Sequence, residues 1–71
     1  SLLEVQAPKK LAGKSLRQLN LRARYGITVV AIRHGDKIIV SPNADDLIAE
    51  GDLLVVVGET ASLDRWEEGL R

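Results

Sequence analysis

Two β-branched runs joined by a tight turn constrain the fold of this chain more than any other feature. The runs are ITVVAI (27–32) and KIIV (37–40), and RHGD lies between them. Isoleucine and valine favour strands, and a turn pair that contains glycine is typical of a β-hairpin. The sequence therefore predicts two antiparallel strands joined at Gly35 and Asp36.

Two further apolar segments predict strands beside this hairpin. LLEVQ (2–6) alternates weakly in polarity and predicts a short strand. LLVVVGE (53–59) is apolar at successive positions, which is typical of a strand that is central or covered on both faces. Between the hairpin and that strand, Leu47 and Ile48 lie among turn residues, and we expect one helical turn there.

Helical signals occur on both sides of the hairpin. Ser15 and Gln18 have the spacing of a capping box, and Gly26 is a residue at which a helix can end. We therefore expect a helix over residues 15–25. Near the C-terminus, apolar residues recur at helical spacing and predict a second helix. These residues are Leu63, Trp66 and Leu70.

Together these elements predict an α+β fold, a single domain with a small mixed, largely antiparallel sheet and two helices. A domain of 71 residues buries only about 60% of the surface that its unfolded chain exposes, and the absence of cysteine excludes disulfides. Because residues 27–32 and 53–57 also carry a surplus of apolar side chains, we predict a homodimer. The side chains that we expect in the core are Leu19, Val29, Ala31, Leu54, Val56, Leu63 and Trp66.

Residues with catalytic chemistry are scarce and poorly arranged. Asp45 and Asp46 are adjacent, so their carboxylates diverge, and a surface turn explains them better than a shared proton or metal. His34 would need a nucleophile, and Ser41 is the nearest hydroxyl group by sequence. The glycines fit no phosphate-binding motif, and one histidine without cysteine cannot build a metal site rich in these ligands. We predict no enzyme activity, no catalytic residue, no metal site and no cofactor in this domain.

Charge is divided unevenly along the chain, although the formal net charge is zero. Residues 1–37 hold eight Lys and Arg against two acids, a net +6, and residues 38–71 hold two Arg against eight acids, a net −6. This division fits an anion-binding face, two faces that attract each other between subunits, or a solvated surface. Nucleic-acid binding would need stacking aromatics, and the only aromatics are Tyr25 and Trp66, so we predict no nucleic-acid partner.

Four motifs carry a resemblance to a known family. They are GKSLRQL (13–19), RYGI (24–27), VVAI (29–32) and GDLLVVVG (51–58). In this combination the chain resembles the C-terminal domain of bacterial potassium-conductance regulators, the TrkA-C or RCK-C domain. The resemblance implies a regulatory domain that follows an N-terminal nucleotide-binding domain of the same chain. Because the sequence contains no Met, we expect residues 1–71 to be this domain from a longer protein.

The resemblance also implies a function. The domain would be the ligand-sensing and dimerising lobe of a gating subunit for bacterial potassium uptake or efflux. It would be cytoplasmic and peripheral to the inner face of the membrane, through a potassium channel or transporter partner. Two alternatives stay open: a purely structural dimerisation module, and the same domain appended to an antiporter or another transporter.

The resemblance further implies a ligand site. Several members of the family bind cyclic di-AMP in a groove between two copies, built from the helix end and the strand after it. In this chain Arg22 would contact a phosphate, and Asn20 and Thr28 would make polar contacts, where relatives commonly have Asp and Asn. Leu21 and Ile27 would pack against a base. The alternative is that Arg22 pairs with an acid of the C-terminal half and that the two apolar residues belong to the core or an interface.

Overall fold

The computed structural model describes all 71 residues, Ser1–Arg71, as a sheet with helices on one face. In chain order the elements are β1 (Leu2–Gln6), a 3₁₀ turn (Lys9–Leu11), α1 (Leu16–Leu19), α2 (Leu21–Tyr25), β2 (Thr28–His34), β3 (Lys37–Val40), β4 (Leu53–Val57) and α3 (Thr60–Gly69). The four strands pair antiparallel in the order β1-β4-β2-β3. The predicted α+β fold is confirmed, and β4 is a central strand, as its apolar sequence predicts.

The β2–β3 hairpin forms where its two β-branched runs predict it. His34 pairs with Lys37, so only Gly35 and Asp36 lie between the strands. Gly35 has a φ of +58°, a left-handed conformation that glycine adopts without a Cβ clash. The turn chemistry therefore sets the hairpin register.

A β-bulge in β2 overturns one prediction about the core. Val29 pairs with Val56, and Ala31 pairs with Val55, so the register shifts between the two positions. The extra residue, Val30, moves Ala31 to the opposite sheet face, because neighbouring positions of a strand point to opposite sides. Ala31 is half-buried on the open face, and its predicted place in the core is wrong.

The predicted helix over 15–25 is divided into α1 and α2 by Asn20. This residue has a φ of +49° and a ψ of +46°, a left-handed conformation that asparagine tolerates better than most residues. The predicted capping box is present, since the Gln18 N–H donates to Ser15 Oγ and the Ser15 N–H donates to Gln18 Oε1. Gly26 ends α2 with a φ of +73°.

The segment around Leu47 and Ile48 is extended, so the predicted helical turn is wrong. The Ile48 N–H donates to the Lys14 carbonyl at 2.9 Å, and the Gly13 N–H donates to the Ile48 carbonyl at 2.8 Å. Both backbone groups of Ile48 are therefore used in pairing with the segment before α1, and neither is available for a local helical turn.

The core lies between the sheet and the helices. Five predicted core residues are buried there, and Val29 is half-buried against them. The five are Leu19, Leu54, Val56, Leu63 and Trp66. The other sheet face is apolar but uncovered, with Leu2, Ile38 and Val40 exposed by 62%, 63% and 73%. An exposed apolar face of this kind is typical of an interaction surface.

Candidate ligand-binding groove

A groove of about 360 Å³ opens where α2 leads into β2, and we call it the Arg22 groove. The two short helices form one wall, the start of β2 forms the floor, and the segment after β3 forms the other wall. Its lining residues are Leu16, Arg17, Asn20, Leu21, Arg22, Ile27, Thr28, Val29, Pro42 and Ala44.

Backbone hydrogen bonds hold the two walls of the groove at a fixed separation. The Arg17 N–H donates to the Ala44 carbonyl at 2.7 Å, and the Leu16 N–H donates to the Asp46 carbonyl at 3.3 Å. Ser41, with a φ of +53°, turns the chain after β3 and donates its N–H to the Val30 carbonyl at 2.9 Å. The groove is therefore part of the folded framework, which lowers the ordering cost of binding.

All five predicted site residues line this single groove. Asn20 and Arg22 are exposed, and Thr28 is half-buried, so their polar groups can be reached by a ligand. Leu21 and Ile27 are 6% and 0% exposed, and both belong to the hydrophobic core. They can contribute only to the floor of the groove. The predicted contacts of these residues with a ligand stay predictions.

Half of the lining was not named as site residues by the sequence analysis. The missing residues are Leu16, Arg17, Val29, Pro42 and Ala44. No local pattern connects Pro42 and Ala44 with α2, because they approach it only after the chain has passed through the hairpin. Arg17 carried one available signal, since it lies two residues after the capping-box serine and within the predicted helix over residues 15–25, which also contains Asn20, Leu21 and Arg22.

The electrostatics of the Arg22 groove are positive. Arg17 and Arg22 are its only charged lining residues. Arg17 pairs with Asp45, its Nε lying 2.9 Å from Oδ1 and its Nη2 3.4 Å from Oδ2. That hydrogen bond, with the charge attraction, raises the pKa of Arg17 and lowers the pKa of Asp45. Arg22 has no ion pair, so the proposed pairing of Arg22 with an acid is not found.

His34 lies at the other end of β2 and has a carboxylate partner but no nucleophile. Its Nδ1 is 2.6 Å from Oδ1 of the buried Asp52. Lys37 is the residue paired with His34, and Ser41 lies four residues beyond it. Four residues of extended chain span about 13 Å, so His34 and Ser41 are separated by about that distance along the strand. The two groups are too far apart for a proton transfer between them.

The adjacent aspartates lie in a surface turn, as their sequence predicts. Asp46 accepts a hydrogen bond from the Asn43 N–H at 2.8 Å.

Comparison with known proteins identifies the family of this chain. The family model of the TrkA-C domain matches residues 1–68. The chain belongs to the TrkA-C domain family. The resemblance drawn from the four motifs is thereby confirmed over nearly the whole sequence.

A potassium-transport protein is among the similar curated proteins. The Ktr system potassium uptake protein C of Bacillus subtilis (strain 168) is 44% identical over 68 residues, which are 96% of this chain and 31% of that protein. The chain thus spans about a third of the length of this relative. In the chain described here, no helix has the length and apolar character that crossing a bilayer requires.

Two solved structures share the fold and were determined with the same ligand. The KtrA RCK C domain in complex with cyclic di-AMP has a TM-score of 0.93 and 39% identity, covering 97% of this chain and 81% of that one. The RCK C domain dimer of S. agalactiae BusR with cyclic di-AMP has a TM-score of 0.85 and 33% identity, covering 100% and 99%. BusR has also been solved with promoter DNA, in a chain of which this sequence covers 37%. Relatives of this domain thus form dimers and belong to potassium-transport systems.

Proposed function

We propose that this chain is the ligand-sensing and dimerising regulatory domain of a gating subunit for bacterial potassium transport. The observation that carries the proposal is the Arg22 groove, a positive, preformed groove with one unpaired guanidinium. Its residues belong to a domain that closely matches the KtrA RCK C domain solved with cyclic di-AMP. The domain would act by binding and not by catalysis, since His34 has no nucleophile within reach.

The ligand would be cyclic di-AMP, for physical reasons that match the groove. Each half of a twofold dinucleotide presents one phosphate and one base. Arg22 offers a guanidinium for a charge-assisted hydrogen bond to phosphate, and Asn20 and Thr28 offer polar groups beside it. The half-buried Leu16 and Pro42 provide apolar contact for a base. Two copies related by a twofold axis would therefore suit one ligand molecule.

The partners follow from the relatives and from the open sheet face. We expect a homodimer, because the exposed Leu2, Ile38 and Val40 form an apolar surface. A small domain gains stability when a second copy covers such a surface. We further expect an N-terminal nucleotide-binding domain in the same protein and a membrane potassium channel or transporter as the regulated partner. The domain would then lie in the cytoplasm, at the inner face of the membrane.

Nucleic acid is not among the partners that we propose. Trp66 is 3% exposed, and Tyr25 is half-buried with the Arg24 guanidinium 5.4 Å from its ring centre. Neither ring is free to stack on bases, which single-strand recognition requires. The complex with promoter DNA was solved for BusR, a longer protein, and describes that protein.

Calorimetric titration with cyclic di-AMP tests the proposal. We expect saturation near one molecule per dimer and, in Arg22→Ala, a loss of about 1.5–3 kcal/mol in binding free energy, because a charged hydrogen bond is removed. Arg24→Ala is the matched control, since Arg24 is exposed on the same helix but lies outside the groove lining. Its affinity should equal that of the unsubstituted chain.

Two results would contradict the proposal in different ways. A dimer that gives no heat at high micromolar cyclic di-AMP would support a purely structural dimerisation module. Equal losses in Arg22→Ala and Arg24→Ala would show that only general charge matters. A sedimentation measurement at micromolar concentration that finds only the 7.7 kDa monomer would exclude the homodimer.

A further inference from the structure

The two arginines of the Arg22 groove are in different states, although both line it. The Arg22 guanidinium has no carboxylate partner, whereas the Arg17 guanidinium holds both oxygens of Asp45. The side chains of Arg17 and Asp45 are 68% and 80% exposed, so this pair lies in water at the groove rim. The backbone of Arg17 is fastened to Ala44 across the groove, and only its side chain is free to turn.

We propose that Arg17 is a second phosphate-binding residue of this groove and that Asp45 is its competing partner in the ligand-free chain. The inference rests on the proposed anion-binding function of the groove. An incoming phosphate would take the guanidinium from Asp45, and no covalent bond would change. We call the Arg17–Asp45 ion pair the latch, because it opposes ligand binding by holding the guanidinium that the phosphate would bind.

The geometry of the existing pair supports this exchange. Arg17 uses Nε and Nη2 against two oxygens, the fork that also fits two oxygens of a phosphate. An exposed ion pair is weak, because water and salt screen it, so breaking it is a small obstacle. The Arg17 side chain can turn from Asp45 to a ligand without backbone movement, since the Arg17 N–H remains bonded to the Ala44 carbonyl.

The latch makes a prediction opposite to that of a simple structural pair. Asp45→Asn should tighten cyclic di-AMP binding about two- to fivefold, the range expected for freeing a side chain from an exposed ion pair. Arg17→Ala should weaken binding, and Arg17→Lys should restore it only in part, because lysine lacks the fork. A merely structural pair would make Asp45→Asn neutral or harmful.

A double-mutant cycle separates the latch from a general effect of charge. Calorimetric titrations of the unsubstituted chain, Asp45→Asn, Arg17→Ala and the double variant are run at the same low salt concentration. We expect the gain from Asp45→Asn to vanish when Arg17 is already alanine. An equal gain in both backgrounds would overturn the latch, because removing a negative charge would then explain it alone.

The titrations also distinguish failure of the latch from failure of the proposed function. Binding by the unsubstituted chain without any gain in Asp45→Asn would overturn only the latch. No binding by any of the four proteins would overturn both proposals. As a second measurement, NMR titration of the Asp45 carboxyl group should show its lowered pKa rising when cyclic di-AMP saturates the chain. An unchanged pKa in the saturated chain would mean that Arg17 stays on Asp45.

Discussion

The two ends of β2 carry grooves that differ in how their charges are satisfied. At the Thr28 end lies the Arg22 groove, whose charged lining residues are both arginines. At the His34 end lies a second groove of about 530 Å³, which we call the His34 groove. Its charged or titratable lining residues are His34, Lys37, Glu50 and Asp52. These four groups include both signs, so the second groove offers an anion no comparable excess of positive charge.

The difference shows which use each end of the strand serves. Asp52 is 4% exposed and accepts hydrogen bonds from His34 Nδ1 at 2.6 Å and from the Ala49 N–H at 2.9 Å. Its carboxylate is therefore part of the framework that joins β2, β4 and the preceding turn. The Arg22 groove instead leaves a guanidinium without a partner. The paired Asp52 and His34 at one end stabilise the fold, and the unpaired Arg22 guanidinium at the other end is available to a ligand.

Among the variants considered, Asp52→Ala at the His34 end should cause the largest loss of stability. We expect a loss of about 3 kcal/mol in the free energy of unfolding, because the part-buried Ala49 N–H and the His34 side chain both lose their acceptor, the buried Asp52 carboxylate. Cyclic di-AMP affinity should not change. Urea denaturation measures the first quantity and calorimetry the second.

Glu50→Ala is the matched control for that variant. Glu50 lines the same groove but is exposed and makes no side-chain hydrogen bond, so its removal should cost less than about 0.5 kcal/mol. If Asp52→Ala and Glu50→Ala unfold at the same urea concentration, the carboxylate of Asp52 has no framework role.

Gly58→Ala should disturb the Arg22 end with a smaller loss of stability. A Cβ at residue 58 would lie 2.7 Å from Ile27 Cγ2 and 3.2 Å from Ile27 Cβ. Ile27 is completely buried and floors the Arg22 groove, so the clash should cost about 2 kcal/mol and also weaken cyclic di-AMP binding. Thermal unfolding and calorimetry measure the two effects.

Gly69→Ala provides the control for this clash. A Cβ at residue 69 would meet only Tyr25 Oη at 3.9 Å, and alanine is a better helix former than glycine. We expect unchanged or slightly higher stability and unchanged affinity. Equal destabilisation of the two variants would contradict the role given to the contact between residue 58 and Ile27.

The pH dependence of the Arg17–Asp45 pair should give the smallest effect. The pair lowers the folded-state pKa of Asp45, so its contribution is present above the ordinary carboxyl pKa of about 3.9 and is lost as pH falls through the lowered value. Arg17→Ala should return the pKa of Asp45 to its ordinary value, as followed by NMR of the carboxyl carbon. Arg24→Ala should leave it lowered, and a return of the pKa in that control would assign the shift to general charge.

Local patterns were sufficient to predict most of the strands and helices, whereas the candidate site residues came from the family resemblance. The hairpin follows from β-branched runs around Gly35, and the helix start follows from the capping box at Ser15. The apolar run 53–57 marked a central strand, and Trp66 was correctly placed in the core. Each of these features depends on residues within a few positions of one another. Period and turn chemistry act over that distance, which is why the sequence alone determined them.

Only the tertiary structure decided which distant side chains meet. The bulge at Val30 sent Ala31 to the open face, because one extra residue reverses the alternation that a regular strand would keep. Arg17 meets Asp45 across 28 positions of sequence. His34 meets Asp52 across 18 positions. No local period connects such partners, since their approach depends on the register of β2 against β4 and on how the segment after β3 closes over the helices.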